Sequence, residues 1–429
     1  MRTIRVGLIG LGTVGSGVIE ILKRHREDFR RRAGVDIELT RFADRATERF
    51  AELGLDPAAC STDAFEVATS DDVDVVIELI GGTGVARDVV LAALGAGKSV
   101  VTANKALMAT HGEQVMEAAE AVDAEIRFEA SVGGGIPIIG PLKHSLTSNE
   151  ITRVMGIVNG TTNYMLTRMG EDGLDYAAAL AEAQERGFAE ADPTADVDGF
   201  DAAAKIAILA SIAFNSRVTL DQVPAEGIRS LAPADLEYAE EIGCTIKLLA
   251  IANRTPEGID IRVHPTMIPK SHPLAGVNGV YNAIYVVGDA VGETMFFGEG
   301  AGSLPAASAV VGDLVEVARD LQTTDAPFVG CTCTEHHPVC DIATLRTRYY
   351  IRLLVADKPG VLAETAKVFG DHGVSLSSVI QRGEEGSPTA ELVYVTHAAL
   401  EADVRTSLSE IESSVNVLEV GAVLRVEDL

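Results

Sequence analysis

The chain has 429 residues, of which 47% are hydrophobic, and it carries 63 acidic against 35 basic side chains, for a formal net charge of −28. This length allows two or three domains with sizeable cores. The negative charge repels nucleic acid and anionic membrane surfaces, so we expect neither as a partner. The longest uncharged run, residues 271–288, is interrupted by His, Pro, Asn and Gly, and no segment is predicted to span a membrane. Together these properties predict a folded, cytoplasmic protein.

A strand, a glycine-rich turn and a helix are predicted at the N-terminus. The apolar residues 4–9 run directly into Gly10, Gly12 and Gly15, which form a G-x-G-x-x-G pattern, and apolar residues at helical spacing follow. Glycine suits this turn because the turn is tight, the backbone must approach a pyrophosphate, and the helix must pack closely on the strand. The pattern predicts a dinucleotide site in a doubly wound sheet and explains the apolar start better than a signal peptide does.

The second predicted strand, residues 36–42, is followed closely by Asp44 and Arg45. A carboxylate at this place binds the ribose 2′-hydroxyl of NAD, whereas an arginine suits the 2′-phosphate of NADP. Both side chains are present, so the choice between the two cofactors stays open.

Two further strands end in residues suited to a reaction centre. One leads into Gly81 and Gly82, and the next leads into Asn104 and Lys105. In a doubly wound sheet the carboxyl ends of the strands face the ligand crevice. We therefore expect these residues beside the nicotinamide, although Lys105 can also be interpreted as a solvated loop cation.

An acidic segment leads into an alanine-rich helix within residues 186–209. It carries Glu190 and further acids before a helix predicted to start near Gly199, on which Asp201 and Lys205 are four residues apart. That spacing places a carboxylate and an ammonium on one face of a small, apolar helix. A substrate site is one interpretation, and a helix cap followed by an ordinary salt bridge is the other.

The chain is predicted to be an α/β protein of three domains. The nucleotide domain covers residues 1–135, and an α+β substrate and dimerisation domain covers residues 136–322. After a linker at 323–346, residues 347–429 show the order β-α-β-β-α-β, which is ferredoxin-like.

Five cysteines in a chain of this length do not form a disulfide framework. Three of them cluster with two histidines in the predicted linker, as Cys331, Cys333, His336, His337 and Cys340. Thiolates and imidazoles can hold a soft metal, but this spacing matches no zinc pattern. A linker with incidental thiols is the favoured interpretation, and whether the cluster binds anything stays open.

Six segments, in the expected order, resemble the homoserine dehydrogenase family. They are the glycine turn, TANK at 102–105, EASVGGGIPII at 129–139, NGTTNY at 159–164, GFAEADPTADVDGFDAAAK at 187–205 and GAGSLPAASAVVGDL at 300–314. In addition, DKPGVLA at 357–363 resembles the opening of an ACT regulatory domain. The resemblance covers nearly the whole chain, and the cysteine-histidine linker lies outside it.

The resemblance implies a Rossmann-type nucleotide domain and an NAD(P)-dependent interconversion of L-aspartate 4-semialdehyde and L-homoserine. The reaction would belong to threonine, methionine and isoleucine synthesis. By position in the motifs, Lys205 and Lys105 are implied as catalytic residues and Glu190 and Asp201 as substrate-binding acids. A homodimer or homotetramer is the implied assembly.

The resemblance also implies several binding residues. It adds Thr13, Val14, Gly187 and Gly302 to the expected cofactor contacts. A sodium site using one carboxylate and backbone carbonyls is implied at Glu129, Val132, Gly134 and Ile136. In the ACT module an effector turn is implied at Asp357, Pro359, Gly360, Val361 and Leu362, with L-threonine as the expected effector.

Elementary chemistry agrees with direct hydride transfer. Negative charge builds on the aldehyde oxygen during reduction, and a lysine can stabilise that charge and donate a proton. An acyl-enzyme route needs a nucleophilic thiol, and neither Cys60 nor Cys244 lies in a suitable motif. Two alternatives remain: another NAD(P)-dependent amino-acid dehydrogenase, and a dinucleotide and amino-acid sensor without turnover. A sensor has no need of both Lys105 and Lys205.

Overall fold

The computed structural model describes residues 2–322, 330–383 and 386–427. The chain divides into two compact units. The first unit comprises Met1–Val154, Ala204–Asp221 and Asn282–His337, and the second comprises Met155–Ala203, Gln222–Tyr281 and Pro338–Leu429. Among the described residues, no helix combines the length and the apolar character that crossing a membrane requires.

Strands and helices alternate over the N-terminal part of the chain. They are β1 (Thr3–Ile9), α1 (Thr13–Asp28), β2 (Asp36–Ala43), α2 (Glu48–Glu52), β3 (Cys60–Ser61), α3 (Ala64–Ala68), β4 (Val75–Glu78), α4 (Val85–Gly95), β5 (Ser99–Thr102), α5 (Lys105–Glu120) and β6 (Ile126–Arg127). The strands form a parallel sheet in the order β3-β2-β1-β4-β5-β6. The order reverses between β1 and β4, where doubly wound sheets bind ligands, so the predicted fold is confirmed.

The middle of the chain mixes both element types. Its elements are β7 (Ile151–Ile157), α6 (Gly160–Asp172), α7 (Tyr176–Glu185), α8 (Thr194–Val197), α9 (Phe200–Ala213), α10 (Pro233–Glu241), β8 (Cys244–Thr255), β9 (Gly258–Pro269), β10 (Tyr281–Gly288), β11 (Gly292–Glu299) and α11 (Ser303–Asp320). Helix α9 contains the boundary between the two units.

The C-terminal part has the predicted ferredoxin-like order. Its elements are β12 (Arg346–Ala356), α12 (Val361–Asp371), β13 (Leu376–Arg382), β14 (Thr389–Thr396), β15 (Ala399–Leu400), α13 (Glu401–Glu412) and β16 (Val417–Val426). The four long strands are antiparallel neighbours in the order β16-β12-β14-β13. The short strand β15 is an addition that pairs with the start of β12.

The ferredoxin-like sheet continues beyond its own strands within the second unit. Strand β16 pairs in parallel with β9, with Arg425 opposite Thr266 and Val426 opposite Met267. The order in this unit is therefore β8-β9-β16-β12-β14-β13. The C-terminal module is thus joined edge to edge with the β8–β9 hairpin.

Part of the predicted linker also pairs with β9. The Ile259 N–H donates to the Pro338 carbonyl at 2.8 Å, and the Cys340 N–H donates to the Ile259 carbonyl at 2.8 Å. Residues 323–329 of the predicted linker lie outside the described residues. The three boundaries between the predicted domains and the linker stay predictions.

The core of the first unit lies between β1 and the helices α1 and α11. Ile4, Val6 and Leu8 of β1 are fully buried there. Gly17 lets the two helices approach closely, because a Cβ at Gly17 would lie 2.7 Å from the carbonyl oxygen of Ser303. Helix α11, distant in sequence, therefore covers the same sheet as α1.

Candidate active site

The glycine turn between β1 and α1 combines tight packing with open space. Gly10 has φ +96°, and a Cβ there would lie 2.7 Å from the carbonyl oxygen of Leu79. A Cβ at Gly15 would lie 2.1 Å from the carbonyl oxygen of Gly10. At Gly12, by contrast, a Cβ would meet no described atom within 4 Å. Gly12 therefore opens the N-terminus of α1, whose amides and dipole attract phosphate, and this cradle fits a pyrophosphate.

Asp44 stands at the end of β2, against this turn. One of its carboxylate oxygens accepts the Leu11 N–H at 2.6 Å, and the other accepts the Ala46 N–H at 2.8 Å. Asp44 thus braces the turn in addition to occupying the position expected for the ribose. The neighbouring Arg45 is exposed. Arg49, which sequence reasoning missed, donates to the Leu11 carbonyl at 3.1 Å and further fixes the turn.

The start of α11 adjoins the start of α1. The hydroxyl of Ser303 donates to the Thr13 carbonyl at 2.6 Å. Gly302, immediately before α11, has φ +129°, a conformation that favours glycine. Three expected cofactor contacts, Thr13, Val14 and Gly302, are therefore brought together in the first unit.

Gly81 and Gly82 follow β4 in left-handed conformations, with φ values of +80° and +77°. Glu78, fully buried at the end of β4, accepts the Gly81 N–H at 3.0 Å and the Thr102 hydroxyl at 2.7 Å. Sequence reasoning missed Glu78, although a carboxylate that closes an otherwise apolar strand is a visible signal. It ties the end of β4 to the end of β5.

Asn104 and Lys105 follow β5. The side-chain amide of Asn104 donates to the Gly82 carbonyl at 2.7 Å, and its oxygen accepts the Leu107 N–H at 3.0 Å, which caps α5. Lys105 is the first residue of α5 and is half-buried. The ends of β4 and β5 are thus joined through side chains, as expected for residues at the edge of one crevice.

In the second unit, Asp201 is buried and held by Asn159. The side-chain amide of Asn159 donates to Asp201 at 2.9 Å and to Asp196 at 2.7 Å. The hydroxyl of Thr161 donates to the Phe188 carbonyl at 2.6 Å. The NGTTNY segment was noted for its resemblance to the family, but no role was predicted for Asn159. Its position before α6 lets it fix two carboxylates of the acidic segment.

The remaining acids of this segment have different surroundings. Gly187 ends α7 with φ +74°, and Glu190 is exposed. Asp198 forms a salt bridge with Arg229. Of the two expected substrate acids, Asp201 is therefore fixed by the fold, whereas Glu190 stands at the surface.

Helix α9 begins at Phe200, close to the predicted start. It carries Asp201 and, one turn later, Lys205, and these residues are 7% and 9% exposed. Charged side chains are rarely this buried unless they are paired. The burial of Asp201 and Lys205 excludes a solvent-exposed surface salt bridge between them. The two residues are instead a buried acid and a buried lysine on one face of the helix.

Glu129 lies in the irregular loop after β6. One of its carboxylate oxygens accepts the N–H groups of Ile138 and Ile139 at 2.6 and 2.8 Å, and the other accepts the Gly140 N–H at 2.6 Å. A carboxylate has about four acceptor positions, so roughly one remains for a cation. The main role of the Glu129 carboxylate is therefore to stabilise the conformation of its own loop.

The other expected cation ligands offer only backbone carbonyls. Val132 and Ile136 are buried, and Gly134 has φ +58°. Across the described ranges, no group of three or more His, Cys, Asp or Glu side chains is arranged to hold a metal ion. The donor set fits a weakly held monovalent cation better than a divalent one, which requires more carboxylate oxygens.

A cavity of about 690 Å³ adjoins this loop in the first unit. Its lining includes Glu129, Lys143 and Asp313, and among the described residues it includes neither Lys105 nor Lys205. Burial raises the pKa of Asp313 to about 8, and its carboxylate accepts the Glu129 N–H at 2.8 Å. The cavity belongs to the expected cation loop and not to the glycine turn.

The expected effector turn lies before α12 in the second unit. Asp357, Pro359 and Gly360 are exposed, and Gly360 has φ +98°. Val361 is buried, whereas Leu362 is 38% exposed. The turn thus presents an accessible helix N-terminus.

The three parts of the chain match family models. Residues 10–129 match the NAD-binding domain of homoserine dehydrogenase, residues 137–315 match homoserine dehydrogenase, and residues 349–415 match the ACT domain. The chain is 47% identical to a homoserine dehydrogenase from Corynebacterium glutamicum, over 98% of this chain and 95% of the other. It is 46% identical to one from Synechocystis, over 99% of both chains.

A crystal structure is similar over the whole length. The homoserine dehydrogenase from Thiobacillus denitrificans superposes with a TM-score of 0.94 at 41% identity, over 100% of this chain and 99% of the other. Fold and sequence similarity therefore extend through the nucleotide-binding, catalytic and ACT parts together.

Proposed function

Because the chain belongs to the homoserine dehydrogenase family, we propose that it interconverts L-aspartate 4-semialdehyde and L-homoserine by direct hydride transfer. The observation that carries this proposal is the buried pair of Asp201 and Lys205 on α9, in a chain 46% identical over its length to a homoserine dehydrogenase. The chain is an oxidoreductase of this family with an NAD(P)-binding domain and an ACT domain.

A bound nicotinamide dinucleotide supplies or accepts the hydride. Lys205 is assigned the proton: in the reducing direction its ammonium stabilises the negative charge on the aldehyde oxygen and donates a proton to it. Lys105 is assigned a second positive charge for the same oxygen. The near-complete burial of Lys205 supports this role, because a charge in a water-poor site stabilises a developing alkoxide more strongly than one in solvent.

Glu190 and Asp201 are assigned to the ammonium group of the substrate. Asp201 suits a fixed contact, since Asn159 already holds one of its oxygens at 2.9 Å. Glu190 is exposed and suits a contact that forms only when substrate is present. The fixed carboxylate of Asp201 and the exposed carboxylate of Glu190 would together orient the zwitterionic substrate.

The cofactor is assigned to the first unit. The backbone around Gly12 would hold the pyrophosphate, with Gly10, Thr13, Val14, Gly15 and Gly302 shaping the cradle. Gly81, Asn104 and Lys105 are assigned near the nicotinamide, and Gly187 is retained as an expected cofactor contact. Asp44 is committed to Leu11 and Ala46, whereas Arg45 is exposed. We therefore assign a 2′-phosphate contact to Arg45 and infer that NADP is accepted in addition to NAD.

A sodium ion is assigned to the loop of Glu129, Val132, Gly134 and Ile136. Its function there would be to fix the loop, since most donors are backbone carbonyls. A thermal melt in sodium chloride against choline chloride tests it: a higher melting temperature in sodium supports the site, and equal temperatures contradict it.

The ACT domain is assigned an amino-acid effector, L-threonine, at the turn from Asp357 to Leu362. Deleting the domain is a poor test because β16 pairs with β9, and Arg352 hydrogen-bonds the buried Asp235 at 2.7 Å. The variant Asp357→Ala, with Asp371→Ala at the other end of α12 as its control, leaves the sheet intact. Loss of threonine inhibition only in Asp357→Ala supports the assignment, and inhibition retained in both variants contradicts it.

A place in threonine, methionine and isoleucine synthesis, a cytoplasmic location and a homodimeric or homotetrameric state complete the proposal. The domain bounds 1–135, 136–322, 323–346 and 347–429 are retained with it. Light scattering of the full chain measures the assembly directly.

The decisive experiment is a steady-state assay with L-homoserine and each of NAD⁺ and NADP⁺, with and without L-threonine. Homoserine-dependent reduction of either cofactor is expected. A folded protein that binds a dinucleotide but shows no turnover would favour the sensor, and turnover with simple 2-amino acids instead would favour another amino-acid dehydrogenase.

A further inference from the structure

Two cysteines outside the motifs of the reaction lie close to positive charge in the first unit. The Nη2 atom of Arg217 lies 3.5 Å from the Sγ atom of Cys331. Cys331 and Cys333 are two residues apart, and the side chain of each affects the pKa of the other. Cys333 Sγ also lies 3.6 Å from the carbonyl oxygen of Ser211, on α9. Both cysteines are partly exposed.

A small cavity opens onto these sulfurs. Its volume is about 30 Å³, and its lining includes Phe128, Lys143, Arg217, Cys331 and Cys333. That volume accommodates a water molecule or a molecule of similar size. Lys143 places its Nζ atom 5.6 Å from the centroid of the Phe128 ring, so a second cation stands at the same cavity. A small polar oxidant can therefore reach sulfur atoms that face two basic side chains.

We propose that Cys331 and Cys333 form a reversible thiol–disulfide site that reacts with hydrogen peroxide. The Cys331 thiolate attacks one peroxide oxygen, the O–O bond breaks, and the hydroxide that leaves takes a proton to become water. This step gives a sulfenic acid at Cys331. The Cys333 sulfur then attacks the Cys331 sulfur, the S–O bond breaks, and a second water leaves with the Cys333 proton. Two thiols and one peroxide thus become one disulfide and two waters.

The surroundings of Cys331 favour its thiolate. Interactions with the Cys333 side chain, with the Cys333 backbone and with Arg217 together lower the pKa of Cys331 to about 6, against burial and the carboxylate of Glu120. The interaction with Cys331 and burial raise the pKa of Cys333, which keeps that thiol protonated. Since the thiolate is the nucleophile, Cys331 is the attacking residue and Cys333 the resolving one.

The remaining cysteines provide controls in the same molecule. Burial raises the pKa of Cys60, and Cys244 is buried. Cys340 is partly exposed like Cys331, but its Sγ atom lies 3.8 Å from the Thr255 hydroxyl instead of beside a guanidinium. Cys340 is therefore the matched control, because it is exposed to a similar degree as Cys331 but does not lie beside an arginine.

The first experiment uses the reduced full-length protein. After a brief exposure to hydrogen peroxide, free thiols are alkylated and the protein is digested with trypsin and with a protease that cleaves after Glu. Cleavage after Glu335 separates Cys331 and Cys333 from Cys340. The Cys331–Cys333 peptide is expected to lose two hydrogens and to regain them with dithiothreitol, while Cys340 stays alkylated. Equal oxidation of Cys340, or a doubly alkylated Cys331–Cys333 peptide, would overturn the proposal.

Variants separate the two roles. In Cys333→Ser a sulfenic acid at Cys331 should accumulate and react with dimedone, since no resolving thiol is present. Arg217→Gln should slow alkylation of Cys331 at pH 7 several-fold and move its pH midpoint upward, towards the value of an ordinary thiol at about 8.5. The exposed Arg24→Gln is the control, and it should change neither. A wild-type midpoint at the ordinary value would overturn the proposal even if a variant fails to fold.

Discussion

The glycine turn and the acidic segment before α9 are both assigned to ligands, yet they are built in opposite ways. The turn is shaped by missing side chains: a Cβ at Gly12 would meet no described atom within 4 Å. The acidic segment is shaped by side chains that hold each other, since Asn159 bonds Asp196 and Asp201 at 2.7 and 2.9 Å. The first region presents backbone amides to phosphate, and the second presents carboxylates whose positions are set before a ligand arrives.

This difference determines which kind of substitution should impair ligand binding in each region. Adding atoms should damage the glycine turn, because its ligand needs the space. Removing atoms should damage the acidic segment, because its ligand needs groups that other side chains keep in position. The predictions below run from the largest expected effect to the smallest.

Lys205→Met should lower kcat by roughly 10³-fold with a small change in cofactor affinity, as expected when a general acid is lost. Steady-state kinetics and a cofactor fluorescence titration measure the two quantities. Lys270→Met, which removes an exposed lysine paired with Glu240, is the control and should keep normal turnover. Near-normal kcat in Lys205→Met would remove this residue from proton transfer.

Gly12→Val and Gly15→Ala should separate ligand space from packing. Gly12→Val should weaken dinucleotide binding by roughly tenfold to a hundredfold, about 1.4–2.7 kcal/mol, with little change in melting temperature. Gly15→Ala should lower the melting temperature, because its Cβ would lie 2.1 Å from the Gly10 carbonyl oxygen. If Gly12→Val binds cofactor normally, the open space at Gly12 is not the pyrophosphate site.

Asn159→Ala should raise the KM for homoserine and also lower the free energy of unfolding by about 1–3 kcal/mol, because two carboxylates lose a donor. Glu190→Gln should raise that KM without a comparable loss of stability, since Glu190 is exposed. Kinetics and denaturant unfolding of both variants test the contrast. Equal losses of stability in Asn159→Ala and Glu190→Gln would contradict the idea that Asp201 is held in position by the fold and Glu190 is not.

Arg45→Ala should raise the KM for NADP⁺ by roughly tenfold and change that for NAD⁺ less than about twofold, as expected for loss of one phosphate contact. Kinetics with both cofactors give the ratio, and Arg87→Ala, which removes a partly exposed arginine paired with Asp88, serves as the control. An unchanged ratio would place the 2′-phosphate elsewhere.

Asp74→Asn, in the first unit but outside both regions, should affect stability alone. Burial raises the pKa of Asp74, but its bonds with Arg5 and the charge of Arg2 prevail and hold the pKa at about 2, below the usual 3.8. The stabilisation is therefore present above pH 3.8 and is lost as pH falls through about 2. We expect a loss of roughly 1–2 kcal/mol at pH 7, with unchanged kcat. Equal stability of the two proteins at pH 7 would contradict this account.

Local patterns predicted much of this protein. The strand, glycine turn and helix at residues 4–22 were predictable because adjacent residues determine a tight turn and a helical face. The strand at Ser99–Thr102 lies directly before Asn104 and Lys105, close to where a strand was predicted, and α9 begins one residue after the expected start. The ferredoxin-like order of the C-terminal part was also predictable, because each strand and helix shows its own hydrophobic periodicity and is bounded by its own turn residues.

Other features escaped prediction because they join residues distant in sequence. Glu78 holds Thr102 across two strands, and Arg49 holds the carbonyl of Leu11. Asp198 is bonded to Arg229, whose proximity no local pattern reveals. A side chain's partner depends on which distant segments pack together.

The sequence by itself determined the family, the doubly wound sheet with its glycine turn, and the identities of the acids and lysines on α9. Only the tertiary structure decided that Asp201 is buried and held by Asn159, that Gly12 and not Gly15 faces open space, and that β16 continues the sheet from β9. Turns and helical faces depend on neighbours along the chain, whereas burial, hydrogen-bond partners and strand order depend on long-range packing.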